Sequence, residues 1–456
     1  MTSTSAVPEE LYAFAQAALA HVRDLAERND VPQKYMERVH FHEDGTWTRE
    51  SWNSPYWHYF VKLHYDYDLA RFPGLVEATE SLWQKGFFDP IEFRDKDGQL
   101  CDPTDFGTVG VYLVEELLDL LLEYPEKTQS FEVDPSELSE LVDAWWIRRR
   151  TIPASQTRIV VIPLLNFESD VESLQLSDKL ELTRFSSELK TYFWSSLDWI
   201  SGDYRIGEYA HSNWMLTGTI SAPGGVPIDT MPLVRQATLA ITSMRLCAPG
   251  HVGTRAALSA APPPSSPPGR GGTGINDLDV SRHSSTYRFS SGIVRQVLET
   301  FTQLREADDS GRLKELALSL RRFNQSYERE RLEDQIIDLT IALESSILFG
   351  THEELSHRLA MRAAVLLWGQ VPSDDTFSLI RHVYKVRSKI VHSGIGVREQ
   401  AALRQKDGDL TPNQLVAALR EVTAKVLRTY LVSVVAKRSL KDVNNSLDSR
   451  MRTPPG

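Results

Sequence analysis

The segment RLEDQIIDLTIALESSILFG, residues 331 to 350, is apolar almost all the way round a helix. Such a helix is stable in water only when other helices surround it, so this stretch commits its part of the chain to a bundle. The neighbours it needs are present. GRLKELALSLRRFNQSY places Leu313, Leu316, Leu320 and Phe323 on one helical face, and HEELSHRLAMRAAVLLWG and DDTFSLIRHVYKVRSKIVH follow. The last helix opens at TPNQLVAALREV, where Thr411, Pro412 and Gln414 form a capping-box start. Its apolar stripe runs Leu415, Leu419, Val422, Val426 and Tyr430. Residues 287–440 are therefore expected to be an all-α bundle, and 441–456 a frayed polar tail.

Upstream the pattern changes twice. Residues 1–155 are mixed and mainly helical: Leu11, Phe14, Ala18 and Val22 fall near helical spacing, and VGVYLVEELLDLLLEY is a strongly apolar helix. The alternation from Phe60 to Tyr67 predicts a strand. Residues 156–252 form a small β-rich α+β module: TRIVVIPLLNF, LQLSDKLELTRF and NWMLTGTISA are strands, and DTMPLVRQATLAITSMRL is a helix. Residues 253–286, with APPPSSPPGRGGTG, are expected to be a linker or loop, because proline removes donors and glycine adds chain entropy. GRGGTG lacks the Gly-Lys-Ser/Thr ending of a phosphate loop. The fold class is thus α+β.

The chain has 456 residues and a net charge of −12, which argues against broad, non-specific nucleic-acid binding but not against a local basic cleft. Cys101 and Cys247 make neither a disulfide framework nor a zinc site. No metal and no cofactor is expected. His40, His42 and His58 match no defined ligand spacing, and DKDGQ at 95–99 reads as a turn rather than a calcium loop. Trp52, Tyr56, Trp57 and Tyr59 are expected in the core rather than as a base-stacking platform. The N-terminus lacks the pattern of a signal peptide and no apolar run reaches membrane-spanning length, so a cytoplasmic, reducing location without membrane attachment is expected.

The chemistry concentrates in YKVRSKIVHSGIG, residues 384 to 396. Ile380, Tyr384, Arg387 and Val391 lie at spacings of four, three and four, which puts a guanidinium on an apolar stripe. A buried arginine needs a carboxylate partner or a cleft that takes an anion. His392 is about 140° from Arg387 on an ideal helix. Ser393-Gly394 is a helix stop, and a frayed last turn would bring the imidazole back beside the guanidinium. Arginine binds phosphate oxygens in bidentate fashion and histidine exchanges protons near neutral pH, so the two suit phosphodiester chemistry. No acidic residue lies between Asp375 and Glu399, whereas Arg381, Lys385, Arg387, Lys389 and Arg398 are basic. Arg381, Lys385 and Lys389 are the expected RNA-binding residues.

Arg, four residues, then His, late in a helical bundle, resembles the HEPN superfamily. The ordered segments DLTIALESSILFG, ELSHRLAMRAAVLLWG and YKVRSKIVHSG resemble its Apea-like branch, over roughly the 150 C-terminal residues. The resemblance implies a metal-independent endoribonuclease in which two bundles dimerise, each supplying its Arg and His to one composite cleft. His392 is then the acid/base group and Arg387 the phosphate-holding group. Ser388 takes an auxiliary position where many members carry Asn, Asp or His. Glu344 and Arg358 also match the pattern, either as a structural Glu344–Arg358 pair, the preferred expectation, or with Glu344 orienting Arg387. The implied partners are RNA, tRNA or mRNA, a second copy of the chain, and a phage trigger or an antitoxin. The implied role is that of a toxin or anti-phage effector regulated by its N-terminal regions. The alternative is a catalytically inactive module that binds RNA or a nucleotide.

Overall fold

The structure is a computed structural model. It describes residues 7, 9–44, 46–84, 106–128, 130–150, 155–194, 211–223, 228–262, 272–274, 285–349, 355–400, 403–405 and 408–452. DKDGQ and Cys101 lie outside the described residues. The fold is mixed α+β, with a helical C-terminal region.

The chain forms two compact units. The first comprises Met1–Val39, Thr48–Thr157 and Ser221–Ile228. It holds helices α1 (Glu9–Ala26), α2 (Trp57–His64), α3 (Leu75–Gln84), α4 (Phe106–Thr128) and α5 (Pro135–Arg150). Strands β1 (Gln33–Phe41) and β2 (Trp47–Pro55) pair with each other. Leu11, Leu19, Val22, Leu118 and Val142 meet in its core. The expected strand over Phe60 to Tyr67 is instead α2 and the turn that follows it. Trp57, Phe60 and Val61 are all buried, and their spacing of three and four sets one helical face inward, so helical period overrides the local alternation.

The second unit comprises His40–Trp47, Arg158–Ile220 and Asp229–Gly456. Its strands are β3 (Ser155–Pro163), β4 (Phe167–Ser169), β5 (Ser173–Gln175), β6 (Glu181–Arg184), β7 (Trp214–Pro223), β8 (Ala256–Ala260), β9 (Gly272–Gly274) and β10 (Tyr287–Phe289). Six of them form one sheet in the order β5-β6-β7-β3-β8-β9. Gly218 is required in β7, because a β-carbon there would stand 2.1 Å from the Lys179 carbonyl oxygen. The helices are α6 (Ser187–Trp194), α7 (Met231–Cys247), α8 (Val294–Asp309), α9 (Ala317–Gln325), α10 (Leu332–Ile347), α11 (Leu355–Leu366), α12 (Ser373–Ser393), α13 (Pro412–Val435) and α14 (Leu440–Arg452).

Three expected boundaries are corrected. First, residues 156–252 and 287–440 are not separate bodies. A single core runs from Val160, Ile162 and Leu216 through Ala240 and Met244 to Leu339, Leu343 and Leu427. Helix α7 joins them: it is buried on nearly every side and packs on α8 and α13. Second, the segment 253–286 is not wholly a linker. Ala256–Ala260 is strand β8, antiparallel to β3 with Val160 opposite Ser259, and Gly272–Gly274 extends the sheet. Its proline-rich middle lies outside the described residues. Third, the polar tail contains α14. Leu440, Val443, Asn444 and Leu447 are buried at helical spacing, and Tyr430 donates a hydrogen bond to Asn444.

Buried charge in this unit is met by opposite charge in one place and by neutral groups in another. Asp338 of α10 accepts from Arg322 and Arg329, each at 2.8 Å. Tyr327 lies between two guanidinium groups, Arg245 at 4.4 Å and Arg420 at 4.5 Å from its ring centroid. Arg420 also donates to His251 Nε2 at 3.2 Å, which leaves Nδ1–H of that ring to face Ser285 Oγ at 2.9 Å. Burial, Arg420 and Arg245 push the His251 pKa down to about 3. A histidine kept neutral in the fold but protonated near pH 6.5 when unfolded stabilises above that pH and loses its contribution as pH falls towards about 3. Melting temperature is therefore expected to drop on acidification from pH 7 to pH 4, and His251→Gln should flatten that slope in a thermal-melt series. An equal slope in the variant would remove His251 from the acid response.

Candidate functional site

Helix α12 forms because Thr376, Leu379, Ile380, Val383 and Val386 repeat at helical spacing and are buried against the bundle. Asp374 and Asp375 suit the positive end of its dipole. Gly394 ends it in the left-handed region, φ +64°, and donates its N–H to Ile390 O at 3.2 Å. The helix is regular through Ser393, so the frayed last turn expected around His392 is not formed. The glycine completes a closed C-cap instead of unwinding the turn before it.

Arg387 lies half-buried beside that face, with Val391 one turn on and exposed. Its side chain is 26% exposed and approaches Glu344 of α10, itself 22% exposed, at Nη2–Oε2 3.6 Å. That distance gives Coulombic attraction but exceeds hydrogen-bond range. The Arg387 Nε is buried and has no hydrogen-bond partner. The Tyr384 ring centroid lies 5.9 Å from the guanidinium carbon. Burial raises the Glu344 pKa, and Arg387 opposes that shift. The Tyr384 pKa is also raised, by burial and then by Glu344, again against Arg387. The result is an oriented guanidinium whose donors are incompletely used. The preferred Glu344–Arg358 pair is not made. Arg358 is half-buried on α11, while the Glu344 carboxylate turns to α12.

His392 is exposed on the last turn. Arg381, Lys385 and Lys389 are exposed too, and Ser388 is half-buried. Arg381, Lys385, Ser388 and His392 follow i, i+4, i+7, i+11 spacing and so form one outward stripe. Since α12 is regular, this stripe stands about 140° round from Arg387. One copy therefore does not bring the imidazole and the guanidinium together.

His382, not singled out among the candidate residues, is half-buried on α12 and faces a hollow shared with Gln400, Leu410 and Thr411. Burial lowers its pKa, and Lys385 and Lys389 lower it further. The available sequence signal was its place one turn before Lys385 and Val386. Among the described residues, no group of three or more His, Cys, Asp or Glu side chains is placed to hold a metal ion, and no helix is long and apolar enough to cross a membrane. Comparison with protein-family models, curated proteins and solved structures gives no match to this chain.

Proposed function

We propose that the chain is a metal-independent endoribonuclease of the HEPN type, acting as a homodimer. The observation that carries the proposal is the under-paired Arg387 guanidinium at the end of a helix whose outer face is a basic stripe ending in His392. In a protein of net charge −12, a confined positive face selects a polyanion locally instead of over the whole surface. Glu344 attracts Arg387 at 3.6 Å without hydrogen-bonding it, so the Nη groups of the partly exposed side chain, not the buried Nε, are the donors for phosphate oxygens.

In the proposed reaction the RNA 2′-oxygen attacks the adjacent phosphorus as its proton passes to an imidazole. The P–O5′ bond breaks, and an imidazolium returns a proton to O5′. The products are a 2′,3′-cyclic phosphate and a 5′-hydroxyl, so atoms and protons balance. Arg387 stabilises charge on the non-bridging oxygens. A second copy presents its own Arg387 and His392 to the same cleft, which meets the separation of the two groups within one helix. The regions before the bundle sense a trigger or restrain the nuclease, in the manner of a toxin or anti-phage effector in the cytoplasm.

A second reading is a non-catalytic module that holds RNA or a nucleotide. The angular separation of Arg387 and His392 favours it, since binding needs the basic stripe alone. Incubating the purified full-length chain with cellular RNA in a chelator, then sequencing 5′-hydroxyl ends, separates the two. New 5′-hydroxyl termini are expected. RNA retained on the protein with no new ends would establish the binding module instead.

A further inference from the structure

Beside the basic stripe lies a hollow of about 260 Å³, walled by α12, the segment after it and the start of α13. Its apolar walls include Val386, Leu403, Leu410 and Leu415. The volume falls below the roughly 300–1,000 Å³ of drug-sized sites, so it suits one ring system and not a whole nucleotide.

Two polar side chains in it have unused capacity. His382 makes no hydrogen bond among the described residues, although it is half-buried. A neutral imidazole presents one donor and one acceptor, and burial with two neighbouring lysines favours the neutral form. Gln400 spends its amide N–H groups on Ile395 O at 3.0 Å and Val386 O at 3.4 Å, while its Oε1 accepts nothing among the described residues. These atoms remain open to water, so a ligand that enters the hollow can take up their hydrogen bonds in place of solvent. Lys385 and Lys389 are exposed outside the hollow, and its own lining includes exposed Arg398 and Asp409, so a polyanion held by the lysines passes the opening. Apolar walls, a few hydrogen-bonding groups and flanking cations are what a splayed-out base on a phosphate backbone requires.

We infer that the His382–Gln400 hollow receives one unstacked base of single-stranded RNA and so selects which nucleotide is presented to the stripe that ends at His392. This deepens the ribonuclease reading and rests on it for the link to cleavage. The binding itself is tested separately.

The experiment is fluorescence anisotropy with the full-length chain and four labelled RNA decamers: all-A, all-C, all-U and alternating G-A. Wild type is expected to bind one of them about tenfold more tightly than the least favoured, equivalent to ~1.4 kcal/mol. His382→Ala and Gln400→Ala should each bring the four within about twofold while leaving the lysine-driven, salt-dependent affinity in place. Leu410→Trp, which fills the hollow, should do the same. The alanine variants keep the test valid if that larger residue is not accommodated. Equal binding of all four by wild type, or a preference that persists in both alanine variants, overturns the inference. A preference that disappears as expected, in a protein that produces no 5′-hydroxyl ends, would retain the base site and reject the ribonuclease.

Discussion

Replacing Arg387 or His392 by alanine is expected to lower RNA cleavage by about 100-fold or more in each case, since one charge-stabilising donor or one positioned acid/base is each worth roughly 10²–10⁴ in rate. The double variant should be little worse than either single one, because groups that act in the same step are not additive. Stability should change little. His392 is exposed, and Glu344, the partner that Arg387 would leave behind, keeps some access to water and has a pKa already raised by burial. Arg387→Lys is the sharper control. It keeps the charge facing Glu344 but loses the planar fork that holds two phosphate oxygens, so cleavage should stay low while the melting temperature stays at the wild-type value. Initial rates on a defined RNA, with melting curves for each variant, check the prediction. Cleavage at the wild-type rate in both alanine variants would remove these two residues from the chemistry.

Parts of this arrangement are readable from sequence because they rest on local rules. The Thr411–Gln414 capping box needs only residues three apart, and both of its hydrogen bonds are present. The stop at Gly394 follows from the freedom of glycine at positive φ. The apolar repeat of α10 marks a central helix, and its one buried carboxylate, Asp338, is answered by two arginines from a neighbouring segment. Partner choice is another matter. Glu344 has Arg358 and Arg387 as candidates from two different helices. Which one it meets depends on how α11 and α12 are rotated about their axes, a tertiary quantity that no spacing along the chain encodes. The same applies to α14. Its polar composition conceals a four-residue buried face, visible only once Tyr430 and Arg362 supply polar partners for Asn444 and Asp448. The joining of the β-rich module to the bundle was hidden because α7 reads simply as a helix until the sheet on one side and the bundle on the other are found to pack on it.

Helix α14 sets the second large effect. Asp448→Ala is expected to cost about 3 kcal/mol of stability, at the lower end of the roughly 3–5 kcal/mol for breaking a buried pair. The Arg362 side chain is only 3% exposed. Its Nε and Nη2 donate to the two Asp448 oxygens, both at 2.7 Å, and its Nη1 donates to Ile347 O at 2.7 Å. Deleting the carboxylate leaves a cation that water does not readily reach. Deleting the cation is less severe, because the Asp448 side chain is 28% exposed and can be hydrated. Arg362→Met, which removes the buried cation and nearly fills its space, should therefore be milder than Asp448→Ala. Ile347 is the last residue of α10 and lies three positions after Glu344, so the clamp also braces the turn that carries the arginine-orienting carboxylate. Asp448→Ala should consequently lose cleavage on warming earlier than it loses secondary structure, whereas Arg387→Ala is expected to be impaired to the same degree at every temperature. Urea denaturation of the wild type and the three variants, with cleavage followed across a temperature series, tests both statements. If Asp448→Ala unfolds at the wild-type urea midpoint, α14 is a passive cover and the brace on Glu344 does not exist.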